Sequence, residues 1–84
     1  MRRLYLVQYD IKNEDKIVER IKALGPWMKY FSQGMIVASS LSPKQIYDHV
    51  SIDYPTEKIL VFELNKTKYF GRLPTEAWDW LREI

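Results

Sequence analysis

Few side chains in this chain are equipped for chemistry, and their scarcity is informative. There is no cysteine, so disulfides, thiolate nucleophiles and thiolate metal sites are excluded. There is one histidine, His49, preceded by Asp48. Sequence neighbours on a helix do not face each other, so the pair is no catalytic dyad, and His49 reads as a solvated or helix-end residue. Ser39, Ser40 and Ser42 have no nucleophile elbow and no second histidine to build a triad. Gly25, Gly34 and Gly71 are isolated and form neither a phosphate-cradling loop nor a dinucleotide fingerprint. Carboxylates remain, and Asp10 stands out because it closes the apolar run Arg3 to Tyr9. At the carboxyl end of a strand it would project toward solvent or a partner. A hard cation such as Mg²⁺ takes carboxylate oxygens and waters. One aspartate makes a poor site, whereas two copies facing each other across a dimer axis make a better one. The competing role for Asp10 is structural, as an Asx turn bonding the loop that follows.

The basic residues are the second group. Arg2 and Arg3 precede the first apolar run, and Lys66, Lys68 and Arg72 interleave with Tyr69 and Phe70. Cations near exposed aromatics suit contacts to a nucleic-acid backbone with base stacking. The same pattern also serves as a solvated loop whose lysines discourage edge aggregation. Glu63 and Asp79 read as surface charges.

Periodicity supplies the elements that must position these groups. Arg3 to Tyr9, nearly all apolar, predicts a strand covered on both faces. Asn13 is the expected N-cap of a first helix, with Glu14 and Asp15 in its opening turn and Ile17, Val18, Ile21 and Leu24 on its apolar stripe. Gly25-Pro26 ends it. Trp27 to Phe31 and Met35 to Ala38 predict a hairpin around Ser32-Gln33-Gly34. Ser42-Pro43-Lys44-Gln45 is a capping box, with Leu41 placed to staple onto Ile46, and it opens a second helix expected to carry Ile46, Tyr47 and Val50 inward. Asp53-Tyr54-Pro55 closes that loop. Lys58 to Leu64 predicts a fourth strand. Tyr69 to Leu73 reads as a short edge strand, and Pro74 starts a third helix with Ala77, Trp78, Leu81 and Ile84 on one face.

Strand, helix, strand, strand, helix, strand is the split βαβ order, which predicts an α+β, ferredoxin-like βαββαβ fold. Strands one and three should be central in an antiparallel sheet with both helices on one face. The third helix either covers the open face or packs on a partner. The chain has 84 residues, which makes a single domain, with 1–64 as core and 65–84 as extension. A net charge of +2 does not by itself select a nucleic-acid partner. No apolar run approaches a membrane span, and the basic-then-apolar start is too short for a signal peptide, so a cytoplasmic protein without membrane association is expected. Three Trp, six Tyr and three Phe in so short a chain predict a core shared with a dimer contact.

Leu4-Tyr5-Leu6-Val7-Gln8-Tyr9-Asp10-Ile11 resembles the opening strand of the small CRISPR-associated endoribonucleases that assist spacer integration. Leu41-Ser42-Pro43-Lys44-Gln45-Ile46 is similar to the start of that family's second helix, and virulence-associated toxins of similar fold are relatives. In the hairpin Gln33 matches the family's glutamine, while Met35 and Ala38 stand where it has serine and glutamate. A closer resemblance, over nearly the whole chain, is to a group of uncharacterised small bacterial and archaeal proteins. It rests on Leu24-Gly25-Pro26-Trp27, Tyr30, Ser42 and Leu73-Pro74-Thr75-Glu76-Ala77-Trp78-Asp79-Trp80-Leu81. The resemblance implies a ferredoxin-like homodimer associated with RNA or DNA, with Asp10 as metal ligand and catalytic group. If the chain is an enzyme, Mg²⁺-dependent phosphodiester cleavage is the implied reaction. The alternative is a non-enzymatic protein-interaction or regulatory module. A small-molecule sensor ranks third, since the sequence displays no convergent polar cluster.

Overall fold

The computed structural model describes residues 1–65 and 67–84. Seven elements follow in order: β1 (Arg3–Asp10), α1 (Asp15–Lys22), β2 (Trp27–Phe31), β3 (Gly34–Ser39), α2 (Pro43–Val50), β4 (Lys58–Leu64) and α3 (Thr75–Glu83). The four strands form one sheet in the order β2-β3-β1-β4, and every neighbouring pair is antiparallel. Strands β1 and β3 are therefore central, as expected. The result is a small α+β domain.

Local chemistry accounts for the element ends. In α2 the Ser42 hydroxyl accepts from the Gln45 amide while the Gln45 side chain accepts from the Ser42 amide, so the capping box is complete and Pro43 opens the helix. In α1 the cap differs from expectation. Glu14 sits at the N-cap without a side-chain cap bond, and the expected cap Asn13 lies one residue outside, its Oδ1 accepting from the Asp15 amide. Asp15 in the first turn and Arg20 and Lys22 in the last complement the helix dipole. Gly25 turns the chain into β2 with φ of +156°, and a Cβ there would overlap the Ala38 carbonyl oxygen. That close approach accompanies the Ala38 amide bond to the Pro26 carbonyl.

Strand alternation divides the core in two. On one face Tyr5, Val7 and Tyr9 of β1 and Met35 and Val37 of β3 pack with Ile17 and Ile21 of α1 and Ile46 and Val50 of α2. Both of these helices lie on that face, as expected, and Leu41 packs against it, but Tyr47, expected to point inward with Ile46 and Val50, is exposed beside the buried stripe. Each such aliphatic side chain contributes about 1.5–3 kcal/mol on full burial. The opposite face holds Leu4, Met28 and Ala38 under Ala77 and Leu81 of α3, with Ile36, Leu64, Leu73 and Trp78 packed around them.

This second layer corrects two expectations. β1 is not covered on both faces along its length: α3 shields the Leu4 end, while Leu6 is half-buried and Gln8 and Asp10 are exposed. Nor does Tyr69–Leu73 form an edge strand, and the described sheet has four strands. Tyr69 instead stacks on Trp78 of α3, ring centroids 5.5 Å apart, and Leu73 packs into the α3 layer. Tyr69 and Leu73 are thus committed to the α3 layer and not to a ladder, whereas Phe70 and Arg72 are exposed.

Candidate functional site

Asp10 is the last residue of β1, and Lys58 of β4 is its ladder partner. Because Tyr9 points into the helical layer, Asp10 points to the open face, the side that carries Leu6, Gln8, Leu60 and Phe62. It is exposed, and its carboxylate has no hydrogen-bond or ion-pair partner among the described residues. The Asx-turn role is therefore not filled by Asp10. Asn13 and Asn65 make such turns instead, to the amides of Asp15 and Thr67.

The backbone around Asp10 is nevertheless firmly held, by Gln33, which the sequence placed in the hairpin turn without assigning it a partner. Gln33, in the β2–β3 turn, accepts from the Tyr9 amide through its carbonyl at 3.1 Å and from the Ile11 amide through Oε1 at 3.0 Å. The Gln8 side chain donates to the same Gln33 carbonyl at 3.0 Å. Asp10 is thus clamped from both neighbours. The clamp continues into Glu14, whose Oε2 accepts from the Tyr9 hydroxyl at 3.0 Å and from Gln33 Nε2 at 3.3 Å, while Oε1 meets Lys29 Nζ at 3.2 Å. Burial, followed by the hydrogen bond and charge of Glu14 and then Tyr54, pushes the Tyr9 hydroxyl well above the ordinary tyrosine range, so Tyr9 remains a neutral donor. The signal that sequence alone held was the glutamine in the hairpin turn. Its partners were invisible because the contact spans 22 residues of chain.

The depression beside Asp10 is also lined by Gln8, Glu57, Lys58 and Leu60. Glu57 is a second carboxylate there, which the sequence reading did not single out. No group of three His, Asp or Glu side chains converges among the described residues.

The basic positions lie elsewhere. Arg3 is at the opposite end of β1 from Asp10, seven strand steps or roughly 23 Å away. It reaches Glu63 at 3.8 Å, both side chains being half-exposed. Arg2 is exposed beside it. Leu64 pairs with Leu4, so the segment after β4 begins at this same end, where Lys68 and Arg72 are exposed. Lys66 lies outside the described residues. One chain therefore gathers Arg2, Arg3 and the start of the post-β4 segment at one end and leaves Asp10 at the other. His49 Nε2–H donates to the Arg20 carbonyl at 3.1 Å, tying α2 to the end of α1. It has a packing role consistent with a helix-end histidine.

No helix among the described residues is long and apolar enough to cross a membrane. No family model, curated protein or solved structure matches this chain.

Proposed function

We propose that the protein is a ferredoxin-like homodimer of the cytoplasm that associates with RNA or DNA, related in design to the small CRISPR-associated endoribonucleases. The split βαβ element order and the sheet order β2-β3-β1-β4 support the ferredoxin-like class. The observation that carries the functional reading is the company Asp10 keeps. It shares the open sheet face with Leu6, Leu60 and Phe62, and the last two are 51% and 54% exposed. An apolar strip of this kind on a small domain calls for a partner. A second copy laid over it would bring a second structurally unemployed Asp10 onto the same interface. Two Asp10 carboxylates held together by the dimer are the ligands that Mg²⁺ would need, since one chain does not supply them. A bound Mg²⁺ would supply phosphate neutralisation and an activated water. Arg2, Arg3, Lys66, Lys68 and Arg72 would hold the phosphodiester backbone.

The test is a binding and cleavage pair. Labelled single-stranded RNA and duplex DNA are titrated at several salt concentrations, and RNA is incubated with Mg²⁺ and either the native protein or Asp10→Asn. Binding whose logarithm falls with log salt, by about 0.7–0.9 for each phosphate contact, is expected. Absence of salt-dependent binding removes the nucleic-acid reading. Cleavage equal in the native protein and Asp10→Asn removes the catalytic role. The second reading is a non-enzymatic interaction module. It is favoured by the exposed apolar pair Leu60 and Phe62, and a dimer that binds without cleaving would support it.

A further inference from the structure

Beneath the segment that leads from β4 to α3 lies a groove of about 350 Å³, within the size range of small-molecule sites. Its floor is Leu4, Ile36 and Leu64 of the sheet, and its far wall is Leu73, Leu81 and the stacked Tyr69–Trp78 pair of the α3 layer. Phe31 and Phe70 stand at the opening, and Phe70 is fully exposed. Among the described residues two charged side chains line it, Lys68 and Arg72, and no aspartate or glutamate does. Neither cation has an ion-pair partner among the described residues, in contrast to Arg3, Arg20, Lys29, Lys44 and Arg82.

We propose that this groove binds a small amphiphilic anion, a hydrocarbon body carrying one carboxylate, with the body between sheet and α3 and the carboxylate at Lys68 and Arg72. Charge complementarity selects the sign of the head group: unpaired cations on an acid-free rim attract an anion and repel a cation. The walls select the body. Asn65 Oδ1 is already engaged by the Thr67 amide and hydroxyl, so the groove has little to offer the polar edge of a nucleobase. A base seated there would leave ring donors and acceptors unpaired, whereas a hydrocarbon leaves none. The site is independent of Asp10 and of the strip at Leu60 and Phe62. It shares Lys68 and Arg72 with the nucleic-acid reading but does not rest on it.

The test uses the full chain and follows backbone amide shifts by NMR during titration with sodium decanoate, decyltrimethylammonium bromide and uridine 5′-monophosphate. Decanoate should bind with shifts centred on Leu4, Ile36, Leu64 and Trp78, and the cationic amphiphile should not compete. Lys68→Gln and Arg72→Gln remove exposed charges and leave the walls intact. Each should weaken decanoate binding roughly tenfold or more, the size of one hydrogen bond to a charged group. Equal binding of both amphiphiles, shifts spread over Leu60 and Phe62, or affinity unchanged in both variants would reduce the groove to general apolar adhesion and overturn the proposal. Binding of the nucleotide without decanoate would overturn it in favour of a base site. No decanoate binding, together with a dimer whose interface shifts fall on the groove, would show that a second copy fills it.

Discussion

Replacing Tyr9 by Phe tests the clamp around Asp10 without disturbing the core, since the ring is 2% exposed and its shape is kept. The substitution deletes one hydrogen bond to the Glu14 carboxylate. Glu14 is not orphaned, because Gln33 and Lys29 still reach it. The cost should therefore sit at the lower end for a charged acceptor, about 1–1.5 kcal/mol at pH 7. In a chain of this length that is a fall in Tm of roughly 4–10 °C. The alkaline limb is more diagnostic. The native Tyr9 hydroxyl titrates well above its unfolded counterpart, first through burial and then through Glu14. Above about pH 10 the unfolded chain releases a proton that the folded chain retains, so stability falls as pH rises, by up to about 1.4 kcal/mol per pH unit from this group. Below that range the group contributes no slope. Tyr30 is also raised, by desolvation and then a hydrogen bond and charge from Glu76, but it is shared by both proteins and cancels in the comparison. Urea unfolding of native and Tyr9→Phe proteins at steps from pH 7 to pH 11 measures both effects. The expected result is a constant gap to about pH 9.5 that narrows above it as the native protein loses its advantage. A gap that stays constant to pH 11 would refute the assignment of Tyr9 as a neutral donor held by burial and Glu14.

Gly25→Ala should destabilise the domain by about 2–4 kcal/mol in the same urea assay, because the new Cβ meets the Ala38 carbonyl oxygen at a φ that side chains disfavour; a change under 1 kcal/mol would mean the turn relaxes freely. Asp10→Asn should leave stability within about 0.5 kcal/mol, since the carboxylate has no partner among the described residues to lose, and a larger loss by thermal melting would show a structural task after all. Phe62→Ser should shift sedimentation equilibrium toward monomer with little change in monomer unfolding, as the ring is already half-exposed; an unchanged association constant would place any dimer contact elsewhere.

The parts of this fold legible in sequence are those whose signal is local. Ser42, Pro43 and Gln45 form the capping box within four residues, and the apolar run Lys58 to Leu64 coincides with β4 because turn residues bound it on both sides. Tyr69 to Leu73 misled for the converse reason. Its aromatic content suits a strand, but the deciding contact is the stack of Tyr69 on Trp78, nine positions on, and tertiary packing overrides propensity. The same limit governed Asp10. Its place at a strand end was readable. That Gln33 clamps it and that its carboxylate is unemployed followed only from how the hairpin turn folds back against the end of β1.

These two non-local contacts share a consequence for function. The Gln33 clamp holds the backbone at Asp10 while leaving the side chain free on the open face. The Tyr69–Trp78 stack holds α3 over the Leu4 end of that face and leaves Leu6, Leu60 and Phe62 uncovered. Had Tyr69 to Leu73 extended the sheet instead, Tyr69 would not be spent on Trp78 and α3 would lose a wall of its layer. The short extension after β4 therefore decides how much of the sheet is closed within the chain. What it leaves open is the end that carries Asp10, the carboxylate that has no partner among the described residues.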